Sequence, residues 1–151
     1  MLGSALCIWG SMAAAQNHEP DRVYRARRDR LTALPTALTQ RTDWVGIDVR
    51  SNKIAVFPRF LAECDSLKVL RLGSNPLDWP DTLRGFGALE YWDMWDTDVD
   101  AVPVYVEGFE RLKKLDVRNT YLDERHRAEL ESRFPGVEIL LSERCDCRPK
   151  R

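Results

Sequence analysis

The fold class that this sequence predicts is α/β. It is a right-handed solenoid with a short parallel sheet on its concave face and short helices or irregular segments on its convex face. Three observations predict it: a segment that recurs four times without gaps, a proline that recurs in phase with it, and an alternation of apolar and polar residues inside each copy.

The four segments are Trp44-Val-Gly-Ile47-Asp-Val49-Arg-Ser-Asn52-Lys-Ile54, Leu67-Lys-Val-Leu70-Arg-Leu72-Gly-Ser-Asn75-Pro-Leu77, Leu89-Glu-Tyr-Trp92-Asp-Met94-Trp-Asp-Thr97-Asp-Val99 and Leu112-Lys-Lys-Leu115-Asp-Val117-Arg-Asn-Thr120-Tyr-Leu122. Their starts are separated by 23, 22 and 23 residues, and Pro35, Pro58, Pro80 and Pro103 keep the same steps. Within each copy the fourth and sixth positions are apolar and their neighbours mostly polar, the period of a strand with one buried face. One such unit cannot bury its apolar face alone, so neighbours must stack and share a core. Asn52 and Asn75 stand where the chain leaves the strand, and their amides can satisfy backbone groups inside the turn. Proline after the turn ends the strand. The segments that follow, Arg59–Asp65 and Val106–Arg111, have room for a turn or two of helix on the convex side.

These residues resemble the leucine-rich-repeat family, whose pattern is L-x-x-L-x-L-x-x-N-x-L. The resemblance runs from near Val23 to Leu141, with threonine in place of asparagine at Thr97 and Thr120. It implies the solenoid fold and a non-catalytic protein–protein interaction module. It implies no particular partner, because the family hosts many unrelated roles.

The ends of the array read as caps. Leu122–Arg133 predicts a helix, with acid in its first turn and Arg133 in its last. Phe134, 22 residues after Leu112, keeps the phase and introduces a terminal strand over Val137–Leu141. At the other end, Val23-Tyr24-Arg25-Ala26 is a degenerate strand whose charge suits an exposed sheet edge. The organisation expected is therefore a leader or disordered N-terminus over 1–20, a repeat domain over 21–142 and a basic tail over 143–151.

Length and composition fit one soluble domain: 151 residues, 44% hydrophobic and 31% charged. A net charge of −1 gives no global attraction to nucleic acid or to an anionic membrane. Arginines at 22, 25, 27, 28 and 30, with Arg144, Arg148, Lys150 and Arg151 in the tail, supply the one route to nucleic-acid binding, which is kept as an alternative. No stretch reaches the length of a membrane-spanning helix. The apolar start, ending in Ala13-Ala14-Ala15 before Gln16, resembles a secretory signal peptide without its positive beginning. Export follows if that leader is real, and a cytoplasmic location otherwise. A monomer is expected.

The candidate site is the concave face. Third, fifth and seventh positions point outward there and form columns: Gly46, Val69, Tyr91 and Lys114; Asp48, Arg71, Asp93, Asp116 and Glu138; Arg50, Gly73, Trp95 and Arg118. At a strand spacing of about 4.8 Å, Arg71 should reach both Asp48 and Asp93. Tyrosine, tryptophan and arginine are common binding hot spots. The expected protein-binding set is Arg71, Tyr91, Asp93, Trp95, Lys114, Asp116 and Arg118, facing an acidic, partly apolar segment of a partner protein. The competing reading is that the two aromatics merely pack, Trp95 filling a dent left by Gly73.

No enzyme is expected. Asp93 and Asp116 lie side by side as an acid and base might, but arginines nearby favour ion pairs. His126 reads as a solvated helix residue and His18 falls in the leader. Cys145 and Cys147 lack the second pair that a metal site needs, so no cofactor or metal is expected. A second alternative is a fragment or accessory form of a larger leucine-rich-repeat receptor or regulator.

Overall fold

The structure is a computed structural model that describes residues 19–143. The expectations placed on the leader, including His18, and on Cys145, Cys147 and the basic residues from Arg144 onward lie outside the described residues.

Six strands form one parallel sheet in the order β1 (Val23–Arg25), β2 (Gly46–Asp48), β3 (Val69–Arg71), β5 (Tyr91–Asp93), β7 (Lys114–Asp116) and β8 (Glu138–Leu140). The register holds across all of them, so that Val23, Gly46, Val69, Tyr91, Lys114 and Glu138 lie side by side. The strands stop early because position eight of five successive units turns left-handed: Arg28, Ser51, Ser74, Asp96 and Asn119 have φ of 60°, 59°, 54°, 57° and 58°.

Behind the sheet the fourth and sixth positions make a continuous core. Ile47, Val49, Leu70, Leu72, Trp92, Met94, Leu115 and Val117 are each at most 1% exposed. An aromatic cluster fills its C-terminal half: Trp92 stacks on Phe109 (5.6 Å between centroids) and on Phe86 (5.9 Å), and Phe134 packs edge-on against Phe109. Among the described residues, the Trp92 indole nitrogen is the buried side-chain polar atom with no hydrogen-bond partner. A tryptophan at a leucine position thus gains ring contacts while losing a water bond for its N–H.

The asparagine column joins one unit to the next. Asn75 Nδ2 donates to Leu72 O of its own unit (2.7 Å) and to Val49 O of the preceding one (3.0 Å), while its Oδ1 accepts from Ile54 N (3.1 Å). Asn52 does the same with Val49 O and Ala26 O. A threonine hydroxyl has a single proton, and those of Thr97 and Thr120 donate within their own units, to Met94 O and Val117 O.

Four expectations are corrected or refined. The convex side is not uniformly helical or irregular. The first two units carry 3-10 turns, Thr36–Gln40 and Arg59–Glu63, but the next two carry strands β4 (Thr82–Leu83) and β6 (Tyr105–Val106), which pair in parallel as a second sheet. The cap helix is shorter than Leu122–Arg133: Asp123 caps a 3-10 turn, Glu124–His126, that leads into α1 (Arg127–Arg133). His126 is not simply solvated, since its Nδ1 accepts the Asp123 backbone N–H at 3.2 Å and completes a capping box. Finally, Glu138 sits beside Lys114 in the third-position column, with Leu140 opposite Asp116. The last step is 24 residues because Phe134 closes the core as the helix C-cap, after which Pro135 and Gly136 (φ +75°) add to the turn before the strand.

Candidate protein-binding face

The site grows from the odd positions of the concave strands. Every fifth-position aspartate is buried: Asp48, Asp93 and Asp116 are 5%, 5% and 4% exposed. A carboxylate so placed needs compensation, and arginines from neighbouring strands and turns provide it. Asp48 accepts from Arg27 Nε (2.8 Å) and from Arg50 Nε and Nη2 (2.9 Å each), with Arg71 Nη1 at 3.6 Å. Arg118 forks onto both oxygens of Asp116, at 2.9 and 2.7 Å, which raises the guanidinium pKa further, chiefly through this hydrogen bond. Asp93 has the weakest compensation: Oδ1 accepts the Trp95 backbone N–H at 2.9 Å, and Arg50 Nη1 stands 3.8 Å from Oδ2. Burial accordingly pushes its pKa up, against the Trp95 hydrogen bond, with the Asp116 charge adding to the rise.

Arg71 therefore does not bridge Asp48 and Asp93 as the sequence suggests. It reaches Asp48, and its guanidinium lies 5.6 Å from the Tyr91 ring centroid, a cation–π distance. Arg50 is the arginine that spans both aspartates. Gly73 leaves no dent for an indole either: a Cβ there would lie 2.9 Å from Asp93 Oδ1 and from the Trp95 carbonyl oxygen. The Trp95 residue remains 42% exposed.

Of the expected set, Tyr91, Asp93, Trp95, Asp116 and Arg118 line one open depression of about 630 Å³. Arg71 lines a smaller one with Val23 and Val69. Lys114 pairs with Glu138 at 3.0 Å. Arg27, Arg28 and Arg50 also border the main depression, and sequence reasoning left them out of the site. The signal was there: Arg27 stands 23 residues before Arg50, so carrying the period one unit back moves it from a loose basic cluster into the seventh-position column. Chemically, the depression presents guanidinium edges and two aromatic rings over carboxylates already engaged by arginine or backbone. Among the described residues no group of three histidine, cysteine, aspartate or glutamate side chains is placed to hold a metal.

Stacked parallel strands, asparagine-bridged turns and an irregular convex side define an α/β solenoid of short repeats. No protein-family model matches the chain, and no curated protein matches it. Among solved structures it is similar to a leucine-rich-repeat protein of Leptospira interrogans, with a TM-score of 0.60 and 18% sequence identity, over 73% of this chain. The protein has the leucine-rich-repeat fold. The matched region is 28% of the Leptospira chain, so this chain spans well under half of that protein's length. No helix among the described residues is long and apolar enough to cross a membrane.

Proposed function

We propose that this chain is a non-catalytic interaction module that binds an acidic, partly apolar segment of a partner protein across β5. The observation that carries the reading is Trp95, exposed at 42% on the rim of a depression bordered by Arg27, Arg28, Arg50 and Arg118. An exposed indole supplies apolar contact, and guanidiniums around it select carboxylates. The buried aspartates beneath hold the guanidiniums of Arg27, Arg50 and Arg118 in place, so less side-chain entropy is lost on binding.

The test is a pull-down with wild type and a Tyr91→Ala, Trp95→Ala double variant, after circular dichroism shows that the variant folds. A partner held by wild type and lost by the variant supports the concave face. Retention of every partner would reduce the aromatics to packing residues. Retained partners that are nucleic acids and wash off steeply with salt would instead favour the arginine-rich ends. The 28% share of the Leptospira chain favours, as a second reading, a role as one section of a larger repeat receptor or regulator.

A further inference from the structure

The convex side holds a break in its own pattern. Phe60, Thr82 and Tyr105 each follow the recurring proline by two residues. Thr82 and Tyr105 pair as neighbours in β4 and β6, but Phe60 lies in the 3-10 turn Arg59–Glu63. The second sheet therefore stops at β4, where the preceding unit would have supplied its next strand.

The backbone at that edge is defined by the bonds on its other side. Tyr105 N donates to Asp81 O (3.1 Å) and Glu107 N to Leu83 O (2.9 Å). In a parallel pair alternate residues bond to a given neighbour, so the N–H and C=O groups of Thr82 and Arg84 turn away from β6. They turn toward a groove of about 640 Å³ bordered by Phe57, Trp79, Leu83 and Phe86. Arg59, Arg84 and Asp81 also line it, giving two guanidiniums against one carboxylate. Arg59 is exposed. Arg84 stands over the Tyr105 ring at 5.0 Å and 4.0 Å from Glu107, its side chain 68% exposed.

We propose that this groove is a second docking site, separate from the concave face, and that it takes an extended segment of a partner protein as an added strand beside β4. The open edge sets the conformation of the occupant. Its chemistry follows from the groove: an apolar residue directed at the Phe57–Trp79 border, with carboxylates alternating so as to meet Arg59 and Arg84.

The probe is an end-capped heptapeptide of alternating valine and glutamate, titrated into nitrogen-15-labelled full chain and followed by amide NMR. Two counterparts accompany it, one with lysine for glutamate and one N-methylated at its three central residues. The expected result is a saturable shift of the Thr82 and Arg84 amides, slowed hydrogen exchange at both, and at least tenfold weaker binding of each counterpart. An Arg59→Glu, Arg84→Glu variant should reverse the preference toward the lysine peptide, while Tyr91→Ala, Trp95→Ala leaves it unchanged. Absence of a saturable shift at Thr82 and Arg84, or affinity indifferent to N-methylation, overturns the proposal. Concentration-dependent shifts of the same amides without peptide, with a dimer in sedimentation, would assign the edge to a second copy of the chain and overturn it too.

Discussion

The two faces of the solenoid obey different rules. On the concave side six units give the same three-residue strand in one register. On the convex side four units divide between two structures, 3-10 turns and then strands. The concave strand is tied by backbone ladders on both sides and by side chains that must reach the next unit, so every copy meets the same demand. Convex segments carry no such ladder through all units, β4 and β6 alone pairing among the described residues, and they answer chiefly to their own residues. Arg59-Phe-Leu-Ala-Glu63 is largely helix-forming, whereas Val104-Tyr105-Val106 is β-branched and aromatic. A repeat thus fixes the part of its fold that touches the next repeat through hydrogen bonds, and local propensity decides the rest.

A further convex contact joins successive units, and disturbing it should have the largest effect. Gly85 (φ +90°) would place a Cβ 2.5 Å from Ala62 O, and Gly108 (φ +86°) one 2.5 Å from Gly85 O. Ala62, Gly85 and Gly108 form a column of turns in backbone contact. Gly136 (φ +75°) has nothing within 4 Å of such a Cβ, so it isolates the cost of the left-handed backbone. Gly136→Ala should lose about 1 kcal/mol. Gly85→Ala adds a clash with main chain that cannot swing aside, and should lose roughly 3 kcal/mol or more in urea unfolding. Equal losses at the two positions would show that the convex turns spread freely, and would weaken the contrast with the Thr82–Leu83 edge next to them.

The asparagine turns sharpen the other side of the comparison. Asn75→Thr removes the bond to Val49 O and the acceptor for Ile54 N, both buried, and should cost about 2 kcal/mol. Thr97→Asn is the reverse experiment. By the 22-residue step an asparagine there faces Leu72 O as Asn75 faces Val49 O, and about 1 kcal/mol of gain is expected. Chemical denaturation of both variants measures this directly. A loss at Thr97 as large as that at Asn75 would mean that the third unit is spaced for threonine, and that the two halves of the array differ in more than one side chain.

Legibility in the sequence followed the same division. The strand positions, their register from Gly46 to Lys114 and the turn asparagines were all readable, because hydrogen-bonded stacking forces the period to repeat. The last strand falls where expected, but its register differs by two residues, since a cap has no following unit to hold its phase and Phe134 could serve the core instead. β4 and β6 left no signal in the period, since the recurring proline marks where each convex segment begins but not what it forms: Pro58 leads into a 3-10 turn and Pro80 and Pro103 into strands. In the site, Tyr91 and Trp95 were visible as outward aromatics on one strand. Arg27 was hidden because its unit lacks the leucines that make the others recognisable, although the seventh-position column runs through it. Arg50 was on that column and passed over, because its span from Asp48 to Asp93 depends on side-chain reach rather than on position.

The smallest effect should come from pH, where the cap and the segment beyond the turn shift their acids in opposite directions. Asp123 in the cap is held down to about 2, first by its hydrogen bond with Arg125. Asp78, beyond the turn, is pushed up to about 6, first by burial, with Asp100, Asp81 and Asp98 adding to the rise and the Trp79 amide opposing it. For Asp123 the stabilising contribution is present above the ordinary value of 3.8 and is lost as pH falls through about 2. For Asp78 the sign reverses: the contribution is full below the ordinary 3.8 and is lost as pH rises through about 6. Asp78 as a whole residue is exposed, so water tempers the cost and a modest change in Tm is expected. Thermal melts from about pH 4 to pH 7 should therefore show Asp78→Asn losing less stability than wild type over that range, the two curves converging at the acid end. Parallel curves would mean that the carboxylate is as well solvated folded as unfolded, and that the flank beyond the turn carries no electrostatic strain to set against the arginine-matched aspartates of the concave face.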